Sequence, residues 1–195
     1  MILYGASGHA KVVLDICLKN GESIRYVLDD NKEIKSLLGH PVVDQFTSEM
    51  LVDDELIISI GSNTIRKKIV NRLSVEFGKA IHPSSIIDTT VSIGGGTVVM
   101  ANAVINSSTI VSKHCIINTS ASVDHDCFID NFVHVSPQAT LCGGVHVGEG
   151  THIGAGAVIL PNVTLGKWCI IGAGSVVLKD VEDGSTIVGN PGIKI

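Results

Sequence analysis

Residues 141–159 read LCGGVHVGEGTHIGAGAVI, with an aliphatic side chain at every sixth position: Leu141, Val147, Ile153 and Ile159. Two residues before each repeat stands something small or β-branched, namely Val145, Thr151 and Ala157. Extended in both directions, the aliphatic series runs unbroken through Ile81, Ile87, Ile93, Val99, Ile105, Val111, Ile117, Val123, Ile129, Val135, Leu165, Ile171 and Val177. The companion series does the same, through Ser85, Val91, Thr97, Ala103, Thr109, Cys115, Ala121, Cys127, Val133, Ala139, Val163, Cys169 and Ser175. A period of six is neither the helical 3.6 nor a plain strand alternation, and periodicity of this kind decides architecture before any local propensity does.

Residues two apart on an extended strand point to the same side. Each hexad therefore supplies a short strand with a large and a small inward residue, followed by a turn of constant length, and the chain must coil. Glycine follows the aliphatic at Gly94, Gly148, Gly154, Gly166 and Gly172, and Asp88, Asn106, Asn118, Asp124 and Asp130 fill the same slot. These are the residues that tolerate positive φ, so the pattern predicts a left-handed corner there. The tandem repeat resembles the hexapeptide acyltransferases. The resemblance implies a left-handed parallel β-helix of triangular section, three hexads or eighteen residues per turn, and Ile81 to Val177 gives a little over five turns.

Residues 1–78 have a different grammar. An apolar run ends at Gly5, and Gly5-Ala6-Ser7-Gly8-His9 opens a helical stretch, AKVVLDICLKNG. A second run, IRYVL, ends at Asp29 and Asp30; a third, ELIISI, ends at Gly61 before a helix starting near Asn63. The order β, α, β, then β, α predicts a small Rossmann-like α/β subdomain over 1–78, with the β-helix occupying 79–195. Helix N-termini after glycine turns attract phosphate, and an acidic pair about twenty residues on is placed to hold a ribose or sugar hydroxyl.

Composition narrows the partners. The chain of 195 residues is 45% hydrophobic yet only 4% aromatic, which fits a core of stacked aliphatics. A net charge of -5 argues against a nucleic-acid surface. No run approaches the roughly 18 apolar residues of a membrane span, and MILYGASGH lacks the features of a signal peptide, so a cytoplasmic protein is expected. Cys17, Cys115, Cys127, Cys142 and Cys169 form no C-x-x-C pair, as expected of reduced thiols.

The GASGH opening, the strand ending in Asp-Asp, the IGSN turn followed by IRKKI, and the hexads together resemble the NeuD and PglD family of sugar acetyltransferases over nearly the whole chain. That resemblance implies an acetyl-CoA-dependent enzyme, with no metal, acting on a nucleotide-linked sugar as a homotrimer whose sites lie between subunits. It implies substrate contacts at Ser7, Gly8, His9, Asp29, Asp30, Gly61, Asn63 and Thr64. The preferred acceptor is the 4-amino group of a UDP-linked 4-amino-4,6-dideoxy sugar. O-acetylation of a sialic acid, or N-acetylation of a GDP- or dTDP-amino sugar, remains the alternative.

Acetyl transfer needs a base and a donor for the developing oxyanion. His125 falls on a corner, outward, with Asp126 beside it to orient the ring. Gly143 lies eighteen residues on, stacked beside His125, and the resemblance implies that its N-H meets the thioester carbonyl while Gly144 leaves room for the pantetheine arm. The resemblance also places His134 against acetyl-CoA and Ala155 and Ala173 along the cofactor track; Asn118 is expected to support the Asp126 side of the base. Two departures from the family pattern stand out: Asp126 replaces the more usual glutamate, and the ending is GNPGIKI. Cys142 alone stands at a corner, where a covalent acyl-cysteine route would need it. A metal enzyme of the γ-carbonic anhydrase kind, using His134, His146 and His152, and a purely structural adaptor are the competing readings.

Overall fold

The computed structural model describes residues 1–51 and 54–195. It begins with a five-stranded sheet formed by β1 (Ile2–Tyr4), β2 (Tyr26–Leu28), β3 (Ser36–Leu37), β4 (His40–Val43) and β5 (Leu56–Ile58) in the order β3-β4-β2-β1-β5. The pairings are parallel except that of β3 with β4. The β3–β4 hairpin was not anticipated from sequence; its two-residue turn is Leu38-Gly39, both at positive φ, the geometry that matches strand twist. Helix α1 (Gly8–Lys19) buries Ala10, Val13, Leu14, Ile16 and Cys17 along one side, and α2 (Asn63–Asn71) starts from Ser62, whose hydroxyl accepts the Ile65 N–H.

From Ala80 onward the chain winds into a three-sided parallel β-helix. Its first face stacks the pairs at 80–81, 98–99, 116–117, 134–135, 152–153 and 170–171, the second those from 86–87 to 176–177, and the third those from 92–93 to 164–165. Partners across each rung are eighteen residues apart, as in His134 with His152 and Val123 with Leu141. From Thr97 onward both inward series are buried as expected, with Ile105, Ile117, Val123, Leu141, Ile153 and Ile159 all fully excluded from solvent, while Ile81, Ser85, Ile87, Val91 and Ile93 at the open first coil are only partly buried. Each such side chain contributes about 1.5–3 kcal/mol on burial, which is how a prism nearly free of aromatic residues inside holds together.

The corners correct one expectation. Gly94, Gly148, Gly154 and Gly166 do not take positive φ; that conformation falls two residues later, at Gly96, Gly150, Gly156 and at non-glycine residues such as Asn102, Asp126, Phe132 and Trp168. The glycines after the aliphatic are needed for a different reason. A Cβ at Gly154 would lie 2.5 Å from the Ala173 nitrogen, and one at Gly148 would lie 2.7 Å from backbone of the next coil. At Asn118, Asp124 and Asp130 in that slot the short side chain folds onto the following N–H, as Asp124 does with His125 at 2.8 Å and Asn118 with Thr119 at 2.8 Å.

The sheet-bearing region docks on the first face. Ala10, Val13 and Leu14 of α1 share a buried cluster with Ala80, Val98, Met100 and Ile116. From α2, Arg66 is 1% exposed and reaches the His114 carbonyl through Nε at 2.8 Å and the Phe132 carbonyl through Nη2 at 3.0 Å, while holding the Ile60 and Gly61 carbonyls and Asn63 Oδ1. Asn63 Nδ2 donates to the Gly150 carbonyl at 3.1 Å. Positions 114, 132 and 150 are successive corners between the third and first faces, so two side chains of α2 grip three coils. No helix among the described residues is long and apolar enough to cross a membrane.

Candidate active site

The hexad frame puts His125 on the corner between the second and third faces, and its side chain is exposed. Its main chain is pinned by Asp124, whose Oδ1 also accepts from Asn106 Nδ2 at 2.9 Å. Its ring bonds through Nδ1 to Asp126 Oδ2 at 2.7 Å. That carboxylate holds the imidazole pKa above its ordinary 6.5, aided by the charge of Asp124. The other edge of the ring lies over Gly143: a Cβ there would sit 2.7 Å from His125 Cε1 and 2.8 Å from Nε2. Only glycine leaves that space.

Gly143 has a second property. At the corners one coil back and elsewhere, the equivalent N–H is taken by the preceding Asp or Asn, as at His125 and Asn131. Before Gly143 comes Cys142, and the Gly143 N–H has no hydrogen-bond partner among the described residues. Gly143 borders a cleft of about 390 Å³ together with Asp124, His125, Asp126, Cys142, Gly144 and Asn162. Cys115, Cys127 and Cys169 are buried core residues, and burial raises the thiol of Cys127 and pushes that of Cys115 up to about 12.

A second cleft, about 480 Å³, opens between the start of α2 and the first face. Gly61, Ser62, Asn63 and Thr64 form one wall; His134, His152, Trp168 and Ile170 form the other. His134 stands edge-on to His152 at 4.8 Å between ring centroids and 6.5 Å from His9. Burial and the cationic Arg66 lower the pKa of His9 to about 4; burial, with the His152 and Arg66 charges, lowers that of His134 to about 3. Both rings are therefore neutral near pH 7. His134, expected beside acetyl-CoA, thus sits with the residues of the α2 turn, and Asn118 donates to His134 Nε2 at 3.0 Å instead of supporting Asp126. The reason is the frame: Asn118 lies at the vertex between the first and second faces, one vertex away from His125.

Among the other expected contacts, Ser7 and Gly8 are exposed at the start of α1, next to the ends of β1 and β5. Asp29 binds inward, accepting from Ala6 N at 2.7 Å and Asn31 N at 2.9 Å, and so shapes the glycine turn. Asp30 bonds to Tyr4 and to Arg72 Nη2, the latter at 2.6 Å; burial favours its neutral form, but these bonds outweigh it and hold the carboxyl below the ordinary range. Ala155 and Ala173 are exposed at the first–second vertex, across the second face from Gly143 and Gly144. His146 lies on the third face, near Phe128, so His134, His146 and His152 do not converge within the chain, and no cluster able to hold a metal ion occurs among the described residues. The sequence reading missed Arg66, Trp168, His114 and Phe132. Arg66 lies within the IRKKI segment, but nothing there announces its role, and the other three stand in no motif, because their partners are set by docking.

Comparison with known proteins identifies the family that carries this architecture. Residues 1–73 match the PglD N-terminal domain and residues 144–179 the bacterial transferase hexapeptide, six repeats. The chain is 37% identical over 108 residues to a UDP-N-acetylbacillosamine N-acetyltransferase of Bacillus subtilis strain 168, a match spanning 51% of this chain and 50% of that enzyme. PerB from Caulobacter crescentus, solved with CoA and GDP-perosamine, superposes with a TM-score of 0.94 at 36% identity, covering 100% of this chain and 96% of that one. The acetyltransferase domain of PglB from Neisseria gonorrhoeae, solved with acetyl coenzyme A, gives 0.89 at 34% identity, covering 100% and 98%. A PglD-type sheet docked on hexapeptide coils, shared over its full length with these structures, places the chain in the PglD-type family of hexapeptide-repeat sugar N-acetyltransferases.

Proposed function

We propose that this chain transfers the acetyl group of acetyl-CoA to the amino group of a nucleotide-linked 4-amino-4,6-dideoxy sugar by direct attack, with His125 as general base. The observation that carries the reading is the His125 ring, oriented by Asp126 on one side and open over Gly143 on the other. As the amine nitrogen bonds to the thioester carbonyl carbon, His125 Nε2 accepts its proton. The unpaired Gly143 N–H donates to the carbonyl oxygen as charge builds there. When the C–S bond breaks, the imidazolium returns its proton to the departing sulfur. Buried Cys127 offers no competing nucleophile, and direct attack needs no acyl-cysteine.

Ser7, Gly8, His9, Gly61, Asn63 and Thr64 hold the nucleotide-linked sugar in this scheme, with Asp29 and Asp30 at its nucleoside end. Their cleft is on the first face, whereas His125 is at the vertex opposite that face, so one chain cannot present its own bound sugar to its own base. A neighbouring copy supplies it, and a trimer with sites between subunits satisfies the geometry. Gly143, Gly144, Ala155 and Ala173 bound the second face, the track proposed for acetyl-CoA. UDP is the preferred nucleotide, supported by the Bacillus relative's name; the Caulobacter complex carries GDP.

The test is thiol release from acetyl-CoA with UDP-, GDP- and dTDP-linked 4-amino-4,6-dideoxy sugars, for the parent and for His125→Ala. One nucleotide sugar is turned over, and the substitution lowers kcat by about 10²- to 10⁴-fold. Full activity in His125→Ala removes the proposed mechanism.

A further inference from the structure

Trp168 is the sole tryptophan of the chain and the least explained of the residues lining the α2 cleft. It occupies the same corner column as His114, Phe132 and Gly150, and its φ is +55. A left-handed corner favours glycine or asparagine, and a large side chain kept there points to a use beyond the turn. For His114 and Phe132 that use is visible: their rings stack at 5.2 Å and are buried under α2. Trp168 is only partly buried. Its indole lies on Gly150, where a Cβ would come within 2.5 Å of the ring, so the neighbouring corner has been cleared to seat it.

The cleft that the indole lines has a polar and an apolar wall. On one side, the Asn63 and Thr64 N–H groups begin α2; on the other are Trp168 and half-exposed Ile170. His134, 9% exposed, borders the same space. Such a site suits a ligand with hydrogen-bond acceptors along one edge and an apolar face on the other. The sheet order says which part of a nucleotide sugar that is. With β1 between β2 and β5, the acidic pair after β2, the glycine turn after β1 and the Gly61 turn after β5 lie in a line. A nucleoside at the acidic pair and a diphosphate over the glycine turn leave the hexose at the cleft.

Resting on the function proposed above, we infer that Trp168 is a substrate contact contributed by the β-helix, with its indole and Ile170 receiving the apolar face of the deoxyhexose ring. The ring's C–H groups lie against the indole, and its oxygens are left to the α2 turn. The glycine turn and the acidic pair of the N-terminal region therefore hold the nucleoside diphosphate, while the α2 turn and the coil together read the sugar.

The single tryptophan makes its own probe. Titration of the parent with a UDP- and a GDP-linked 4-amino-4,6-dideoxyhexose should change its emission, whereas UDP, GDP and acetyl-CoA should leave it nearly unchanged. Trp168→Asn, which suits the left-handed corner, should fold as the parent does by circular dichroism. It should raise KM for the nucleotide sugar about tenfold, with KM for acetyl-CoA unaltered. An equal emission response to the free nucleoside diphosphates overturns the hexose assignment in favour of the base. An unchanged KM in Trp168→Asn reduces the indole to packing under Lys67, which lies 5.1 Å from its ring. If calorimetry shows that the parent binds no nucleotide sugar at all, the failure belongs to the proposed function rather than to the indole.

Discussion

The His125 imidazole owes its raised pKa first to the hydrogen bond its Nδ1–H donates to Asp126 and second to the charge of Asp124. In its proposed role of general base it must be neutral, so kcat/KM should fall as pH drops through a value above 6.5 and level off at higher pH. Asp126→Asn removes the larger cause. Its acid limb therefore moves to lower pH while the plateau rate falls, because the amide no longer orients the ring as the carboxylate did. A pH–rate profile of both proteins checks the sign: an acid limb displaced upward in the variant contradicts it. This pair was legible in the sequence because the two residues are adjacent, and Gly143 was legible because eighteen residues bring it alongside. The free Gly143 N–H was less so, since it depends on Cys142 standing where Asp124 stands one coil earlier.

The glycines at the corners of the β-helix are of two kinds with opposite requirements. Gly154 has an ordinary φ but no room for a Cβ, whereas Gly156 has φ +65 and open space around it. Gly154→Ala should therefore cost about 3 kcal/mol or more through collision with the next coil, and Gly156→Ala about 1–2 kcal/mol through backbone strain. Denaturant unfolding of the two variants checks the order; a smaller loss at Gly154 contradicts the packing argument. The hexad pattern made the coils readable because one aliphatic per strand fixes both period and inward face. It could not separate the two glycines, since composition at a slot does not say which way the missing Cβ would have pointed. The β3–β4 hairpin escaped for a related reason: Leu38 at positive φ is an unusual turn residue, and nothing in the residue types announces it.

At the scale of the whole molecule, the proposed sugar cleft and His125 are on opposite sides of one prism, so the proposed function requires an assembly to be active. Two variants test this. His125→Ala removes the base, and Ser7→Asp places a carboxylate at the start of α1, where it repels the diphosphate. Each alone should be nearly inactive; mixed after denaturation and refolding, they should regain roughly a quarter of parental activity or less, from sites that draw one intact half from each chain. Mixtures no more active than their components contradict a shared site. The two-part organisation was legible from the change of pattern near residue 79, but the grip between the parts was not. Arg66 ends on carbonyl oxygens of Ile60, Gly61, His114 and Phe132, and backbone carbonyls leave no trace in a sequence. That grip bears on how specificity could be transplanted. A chimera that joins the sheet of one relative to the coils of another would have to keep the α2 arginine and asparagine together with coils whose corner carbonyls lie at matching heights. A splice made anywhere else would inherit both halves and lose the cleft between them.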